Sequence, residues 1–311
     1  MSESKRLIAV DLQYMFHRHK YRIESYEAEH NGAAMLSFGE VETARLYFTM
    51  KDLFAILSLA KQAEADVVIC MDSKSDRKEE NSDYKANRVG LKDRDIEALN
   101  NIEYVIRHSG LPVMKEDGYE ADDLVASIVR NRADEYDNII IYTPDADLSV
   151  LISDKVSLCR YKSVYSKKAT FLNAHKLITR ENMSETFSEE LKTDLPFNAM
   201  ILYKCTVGDP SDGIKGIQGF GPAAFRKMIA NMRSCGINFE TLANTANVAG
   251  LIESRRPIMG DSATDQALAA LELVRSRTCA SIESAANSLE LKVPDLDKFM
   301  ETCSEFGIKS L

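Results

Sequence analysis

Short apolar runs that end in an aspartate alternate with longer amphipathic runs in the first half of this chain. Residues 7–10, 67–71 and 139–142 are strand-like and lead into Asp11, Asp72 and the pair Asp145 and Asp147. Residues 41–61, 93–108 and 121–130 carry apolar side chains at helical spacing, and residues 111–114 form a further short strand. This alternation predicts an α/β fold with a central, mostly parallel sheet flanked by helices.

The strand signal fades after about residue 171, and residues 197–311 are mostly helical in pattern apart from a glycine-rich stretch at 208–221. We therefore expect an α/β core over residues 1–190 and a helical region over residues 191–311. No apolar run approaches the ~20 residues that span a bilayer. We also expect no signal peptide, and the six cysteines contain no CxxC pair. These features predict a cytoplasmic protein, of a bacterium or a phage-infected cell, with reduced thiols and no membrane partner.

Carboxylates collect where a site is expected, because ligands of open α/β sheets bind outside the carboxyl ends of the strands. Crowded carboxylates need cations, and oxygen ligands without histidine or cysteine suit two Mg²⁺ or Mn²⁺ ions. Two such ions ~4 Å apart bind the attacking and leaving oxygens of a phosphodiester. The sequence therefore predicts metal-dependent phosphoryl transfer to water. The nine candidate ligands are Asp11, Asp72, Glu120, Asp122, Asp123, Asp145, Asp147, Asp209 and Asp212.

Each acidic cluster alone also has a purely structural explanation. An aspartate that follows a strand is commonly a turn or N-cap residue. The acids at 120–123 could simply favour the dipole of the helix that starts there. The coincidence of all clusters at expected strand and helix ends favours the metal site.

The motifs, taken in order, resemble those of the 5′-nuclease superfamily. That family includes the 5′→3′ exonucleases and flap endonucleases of phages and the 5′-nuclease domain of bacterial DNA polymerase I. The resemblance extends over residues 5–230 and implies a PIN-like core, and we expect a stand-alone form rather than one fused to a polymerase. It rests on residues 8–11, 70–72, 84–88, 118–123, 143–147 and 208–221.

The resemblance implies a role for each site residue. Asp11, Asp72, Glu120, Asp122 and Asp123 correspond to ligands of the tighter metal. Asp145, Asp147, Asp209 and Asp212 correspond to ligands of the second metal.

Residues 84–88 match the base of the family's helical arch, here near residues 74–95. The resemblance makes Tyr84 a residue that stacks on the terminal base, and Lys85 and Arg88 contacts of the scissile phosphate. Fixed cations of this kind stabilise charge that develops on phosphorus. Packing for Tyr84 and solvated surface charge for Lys85 and Arg88 are the structural alternatives.

Two further groups of residues are candidate DNA contacts. The basic residues Lys74, Arg77 and Lys78 would guide a single-stranded 5′ end, and the resemblance makes Arg18 a phosphate contact. The region near 205–230 resembles the family's helix–three-turn–helix, a helix–hairpin–helix element that grips duplex DNA, often with K⁺. Its glycines also fit the dinucleotide-binding pattern GxGxxG/A, but that interpretation fails because no strand precedes them. Its candidate contacts are Lys215, Gly216, Gly219, Gly221, Arg226 and Lys227.

Taken alone, the net charge of −9, from 39 basic and 48 acidic residues, disfavours a nucleic-acid partner. Setting the nine candidate metal ligands aside leaves 39 residues of each sign. Phosphate contacts need only a local basic stripe, so DNA binding is compatible with this composition.

The sequence thus predicts a monomeric, structure-specific 5′ nuclease. Its substrate would be DNA with a 5′ flap, overhang or nick, with or without an RNA primer. A replicative polymerase or single-strand binding protein is the expected protein partner. A PIN-like ribonuclease and a catalytically weak DNA junction-binding module are the alternatives. The 84–88 and 208–221 elements disfavour the first, and the complete carboxylate set disfavours the second.

Overall fold

A computed structural model describes residues 4–38, 41–86, 90–161 and 174–311, without the side chains of residues 41, 42 and 78. Arg88 lies outside the described residues, and so does the side chain of Lys78. The strands are β1 Arg6–Asp11, β2 Ser37–Phe38, β3 Val41–Glu42, β4 Asp66–Cys70, β5 Val113–Met114, β6 Asn138–Tyr142, β7 Val156–Tyr161, β8 His175–Ile178, β9 Gly208–Asp209 and β10 Ile214–Lys215.

Helices occupy most of the remaining described chain. They are α1 Leu12–Glu29, α2 Ala44–Gln62, α3 Asp76–Glu80, α4 Asp93–His108, α5 Ala121–Arg132, α6 Met183–Leu191, α7 Met200–Val207, α8 Pro222–Ser234, α9 Thr245–Ser254, α10 Arg256–Met259, α11 Asp261–Val274, α12 Ala280–Ser288 and α13 Leu296–Ser304. None of these helices is long and apolar enough to cross a membrane.

The central sheet has the strand order β5-β4-β1-β6-β7-β8. The first five strands are mutually parallel, and only β8 runs antiparallel to its neighbour. β1 lies in the middle, where Val10 pairs with Ile69 on one side and Tyr142 on the other. The predicted α/β class, with a mostly parallel central sheet flanked by helices, is confirmed. Because the parallel strands point the same way, their carboxyl ends meet at one edge.

The sheet carries an apolar cluster on each face, as alternation along β1 requires. Leu7 and Ala9 join a cluster that includes α5, α7, α8, α11 and α12. Val10 joins the other, which includes α1, α2, α4 and α13. Helices from the C-terminal region therefore pack on both faces of the sheet, and this anchors the segments that approach its carboxyl edge.

β8 lies beyond residue 171, where the apolar pattern predicted no further strand. It is an edge strand that pairs with β7 alone, and only Ile178 in it is buried. Leu177 is 45 % exposed. An edge strand with so little burial has no continuous apolar run, and this explains why the pattern missed it.

Candidate active site

Asp11, Asp72 and Asp145 lie at the carboxyl edge of the sheet, where the strand pattern predicted them. Asp11 ends β1 and caps α1, since its carboxylate accepts the amide of Tyr14 at 3.4 Å. The hydroxyl of Thr143, just after β6, donates to Asp11 at 2.9 Å. These hydrogen bonds set the orientation of the Asp11 carboxylate.

The start of α5 is tied to the same edge. The amide of Ala121 donates to Asp72 Oδ1 at 2.7 Å. Glu120 and Asp123 form a reciprocal capping box across the first turn of α5. The acids of this motif therefore do cap their helix, and they also stand beside the carboxylate that follows β4.

The carboxylates are close enough to perturb one another. Burial, Asp72 and Asp145 raise the pKa of Asp11 to about 7. Burial and then Asp145 raise the pKa of Asp147 to about 7. Burial, with Asp123, Glu120 and Asp145 as neighbouring acids, raises the pKa of Asp122 well above its usual range. Asp11, Asp122 and Asp147 are half-buried, and each lies close enough to other carboxylates to be repelled by them.

Arg77 lies inside this acidic group. Its guanidinium donates to Asp123 Oδ1 at 2.6 Å and Oδ2 at 2.9 Å, and to Glu120 Oε2 at 2.7 Å. The residue is 1 % exposed. This location differs from the expected one on an exposed DNA-guiding segment, because the short helix α3 turns Arg77 inward onto α5. Asp123 is fully buried against Arg77 and the amide of Arg277, so in this structure it orients Arg77.

Tyr84 and Lys85 also converge on Glu120. The Tyr84 hydroxyl donates to Glu120 Oε2 at 2.9 Å, and Lys85 Nζ lies 2.9 Å from Glu120 Oε1. Tyr84 is 3 % exposed, so its ring packs inside the protein, as the packing alternative describes. Lys85 stays partly accessible, with a side chain that is 19 % exposed.

A close backbone approach positions Lys85. Its amide donates to the carbonyl of Asp212 at 2.8 Å, and its φ of 50° is left-handed. Gly213 permits this contact: a Cβ there would lie 2.4 Å from the carbonyl oxygen of Asp83. The glycine-rich stretch thus holds the 83–85 turn against the carboxylates.

Lys204, a residue of α7, is the functional candidate that sequence reasoning missed. Its Nζ lies 2.5 Å from Asp147 Oδ1, 2.7 Å from Asp209 Oδ2 and 4.0 Å from Asp145 Oδ1. These carboxylates raise the pKa of Lys204 well above its usual range. A signal was available, because Lys204 is the one charged residue in the stretch 195–208. A charge in such a run needs a buried partner.

The expected DNA contacts of the glycine-rich region are spread over its surface. Lys215 is exposed and pairs with Asp83 at 2.7 Å, and Arg226 and Lys227 are exposed on α8. Gly219 and Gly221 face open space.

Three other predicted DNA contacts, one from the glycine-rich region and two basic residues, make contacts within the protein. Gly216 packs on the backbone of Val207 and Gly208, where a Cβ would clash, so its absent side chain serves internal packing. Arg18 stacks on Tyr161, 4.2 Å from the ring centroid. Lys74 is exposed and pairs with Glu79 at 2.5 Å.

The donor chemistry of this edge fits hard divalent cations. The ligand candidates are all carboxylates, and burial together with neighbouring acids raises the pKa values of Asp11, Asp147 and Asp122. Among the described residues, however, no three metal-ligating side chains already surround one point. Arg77, Lys85 and Lys204 hold carboxylate oxygens in ion pairs instead.

A model of the 5′-3′ exonuclease family, for its N-terminal resolvase-like domain, matches residues 6–188. The chain belongs to this family.

Relatives of known name agree with this membership. The chain is 24 % identical over 269 residues to a 5′-3′ exonuclease of Aquifex aeolicus, covering 86 % of this chain and 84 % of the relative. It is 28 % identical over 182 residues to DNA polymerase I of Caldicellulosiruptor bescii, covering 58 % of this chain and 20 % of that polymerase. The fold matches that of the bacteriophage T5 D15 protein crystallised with metal ions, with a TM-score of 0.55 and 21 % identity, covering 98 % and 100 % of the two chains.

Proposed function

We propose that this 5′-3′ exonuclease family member is a metal-dependent 5′ nuclease that hydrolyses phosphodiester bonds of DNA near a 5′ end. The observation that carries the proposal is the group of buried and half-buried carboxylates at the carboxyl edge of the sheet, with Lys85 at its rim. Similarity to a 5′-3′ exonuclease and to DNA polymerase I supports DNA as the substrate class.

The residues divide into two sets of ligands. Asp11, Asp72, Glu120 and Asp122 would hold one divalent ion, with Asp123 acting through Arg77. Asp145, Asp147, Asp209 and Asp212 would hold the second. Two Mg²⁺ or Mn²⁺ ions bound there would activate water and neutralise the charge that develops on phosphorus.

Protein side chains supply the remaining electrostatic stabilisation. Lys85 is protonated throughout the physiological range, because Glu120, Asp122 and Asp212 raise its pKa. Its ammonium can therefore donate to a phosphate oxygen in the transition state. Arg88 would contact the same phosphate, as the resemblance of the 84–88 motif implies.

A duplex-gripping role for the glycine-rich hairpin and α8 completes the proposal. Exposed Lys215, Arg226 and Lys227 can contact the phosphates of a duplex. K⁺ at that hairpin remains part of the proposal. The match to DNA polymerase I relatives supports a role in removing 5′ flaps or primers during replication.

The test is cleavage of a flap duplex labelled at the 5′ end in one reaction and at the 3′ end in another, with Mg²⁺, with Mn²⁺ and with EDTA. Short 5′ products that need metal would support the proposal and distinguish trimming from cutting at the junction. An RNA 5′ strand in a parallel reaction tests the ribonuclease alternative.

Asp145→Ala should abolish cleavage and keep DNA binding. Asp154→Ala is the matched control: it replaces an 88 % exposed aspartate before β7, at the opposite edge of the sheet. Turnover by Asp145→Ala in Mg²⁺ would overturn the site. DNA binding without any cleavage by the unmodified protein would favour the junction-binding alternative.

A further inference from the structure

A cleft separate from the candidate active site lies beside α5. It has a volume of about 650 Å³ and lies between the C-terminal half of α5, the start of α9 and the segment that joins α11 to α12. Arg130, Arg275 and Arg277 line it, with Glu80, Glu272 and Thr245 among their neighbours. We call this cleft the arginine pocket. None of the nine carboxylates of the candidate active site lines it.

The wall that carries Arg275 and Arg277 is held in place by the interior. The carbonyl of Arg275 accepts from the Arg77 guanidinium at 2.9 Å, and the amide of Arg277 donates to Asp123 at 2.5 Å. Arg77 and Asp123 are both buried. Their backbone contacts fix the segment while the side chains of Arg275 and Arg277 line the pocket, so little ordering is needed when a ligand binds.

The pocket has one positive charge in excess, since three arginines face two glutamates. Arg277 pairs with Glu80 and Arg275 with Glu272, and these glutamate side chains are 60 % and 59 % exposed. Pairs this exposed contribute little and can exchange for another anion.

Arg130 supplies the excess charge. It donates to the Ser276 hydroxyl at 2.9 Å, and within the described part of the chain no carboxylate lies within ion-pair distance of it. Burial lowers its pKa, with Asp123 as the only opposing charge. Arg130 is exposed, so its guanidinium is open to an anion that enters the pocket.

The start of α9 adds to the field. Asn244 and Thr245 line the pocket, and they begin a helix of 10 residues. The positive end of the helix dipole therefore faces the space between the arginines. Asn244 already accepts the amides of Ala246 and Asn247, so the helix contributes its dipole rather than free donors.

We propose that the arginine pocket binds a phosphate group, and that its source is the backbone of the DNA strand held for cleavage. Guanidinium groups bind phosphate through two parallel hydrogen bonds, which suits three arginines around one cleft. α5 runs from Ala121, beside Asp72, to Arg130, a rise of ~13 Å at ~1.5 Å per residue. The bound phosphate would thus lie several nucleotides from the scissile bond. This source rests on the proposed function, and a free nucleotide has the same phosphate chemistry.

The test compares the full chain with Arg130→Gln and with Arg275→Gln/Arg277→Gln. Arg107→Gln is the matched control: it is an arginine on α4 with a 47 % exposed side chain and an ion pair to Glu103. Binding of labelled flap DNA is measured by fluorescence anisotropy in EDTA at several salt concentrations. Thymidine monophosphate binding is measured by calorimetry, and melting temperatures confirm that each variant is folded.

For a DNA phosphate, each pocket variant should weaken DNA binding by about tenfold and reduce the slope of log K against log salt by ~0.9 for each lost contact. Arg107→Gln should change neither. Loss of nucleotide binding with unchanged DNA affinity would assign the pocket to a free nucleotide and overturn the DNA source. If neither ligand distinguishes the pocket variants from Arg107→Gln, the pocket is not a phosphate site.

The outcome is separable from cleavage. A pocket effect on DNA affinity in a protein that cleaves nothing would keep the pocket and overturn the proposed nuclease function. If the protein cleaves DNA and the pocket variants bind DNA as tightly as the unmodified protein, the nuclease function is kept and the DNA-phosphate pocket is overturned.

Discussion

Lys204 Nζ lies 2.7 Å from Asp209 Oδ2, inside the set of carboxylates proposed for the second metal. The same ammonium lies 2.5 Å from Asp147. It is an internal cation at a position where the site needs positive charge, and its side chain is only 13 % exposed. This pairing stabilises carboxylates that would otherwise repel one another.

Lys204→Met should destabilise the metal-free protein by about 3–5 kcal/mol, because the change leaves buried carboxylates unpaired. Mn²⁺ should recover much of that loss by supplying the missing charge. Urea unfolding in EDTA and in Mn²⁺ measures both effects. Lys215→Met, at an 84 % exposed side chain, is the control and should change little. Equal losses for the two variants would contradict the role given to Lys204.

Gly213→Ala should lower the cleavage rate on the order of 10²-fold, because its Cβ would meet the carbonyl of Asp83 and displace the turn that holds Lys85. Gly236→Ala is a matched control, since the φ angles are 71° and 70° and, of the two, only Gly236 faces open space. Both variants bear a backbone penalty of ~1–2 kcal/mol. Single-turnover rates separate them, and equal rates would refute the positioning argument.

Lys85→Ala should cost ~3 kcal/mol of transition-state stabilisation, comparable with the loss of one oxyanion donor. The measurement is kcat/KM on a flap duplex, with Lys61→Ala, at an exposed lysine in the last turn of α2, as the control. Mn²⁺ affinity, measured alongside, shows whether Glu120 still serves as a ligand without its lysine. A decrease of only a few-fold in kcat/KM would make Lys85 an ordinary surface charge.

Metal binding should strengthen as pH rises from 6 to 8. Asp11 and Asp147 have pKa values of about 7 without metal, so protons compete with the ion below that pH.

The same raised pKa values have a consequence for stability. Between pH ~4 and ~7 the folded state holds protons that the unfolded chain has released, so the metal-free protein loses stability as pH rises through that range.

The predicted pH dependence of metal binding is measured by calorimetric Mn²⁺ titration at pH 6 and pH 8. Titration in two buffers gives both the Mn²⁺ affinity and the number of protons released. Asp11→Asn should reduce the proton release. A pH-independent affinity would contradict these assignments.

Local pattern was enough to predict most of the sheet. The runs that became β1, β4 and β6 are buried and apolar, and α4 covers Asp93–His108 as its spacing predicts. β8 was missed because an edge strand lacks that pattern. The region-by-region division of the chain stays a prediction.

The site was predictable in its acids and less so in its cations. A carboxylate at a strand end is visible in sequence because position along the strand sets its place at the sheet edge. Arg77 reads in sequence as surface charge, yet it pairs with Glu120 across a separation of 43 residues. Lys204 pairs likewise across the fold.

The amino-acid sequence alone predicted four of the six strands of the central sheet and the carboxylates that follow them, because apolar periodicity and strand direction are local properties. The tertiary structure decided which cations are buried among those carboxylates and which line the arginine pocket. Such pairing depends on distance between segments remote in sequence, and only the packing of α3, α5, α7 and the α11–α12 connection sets that distance.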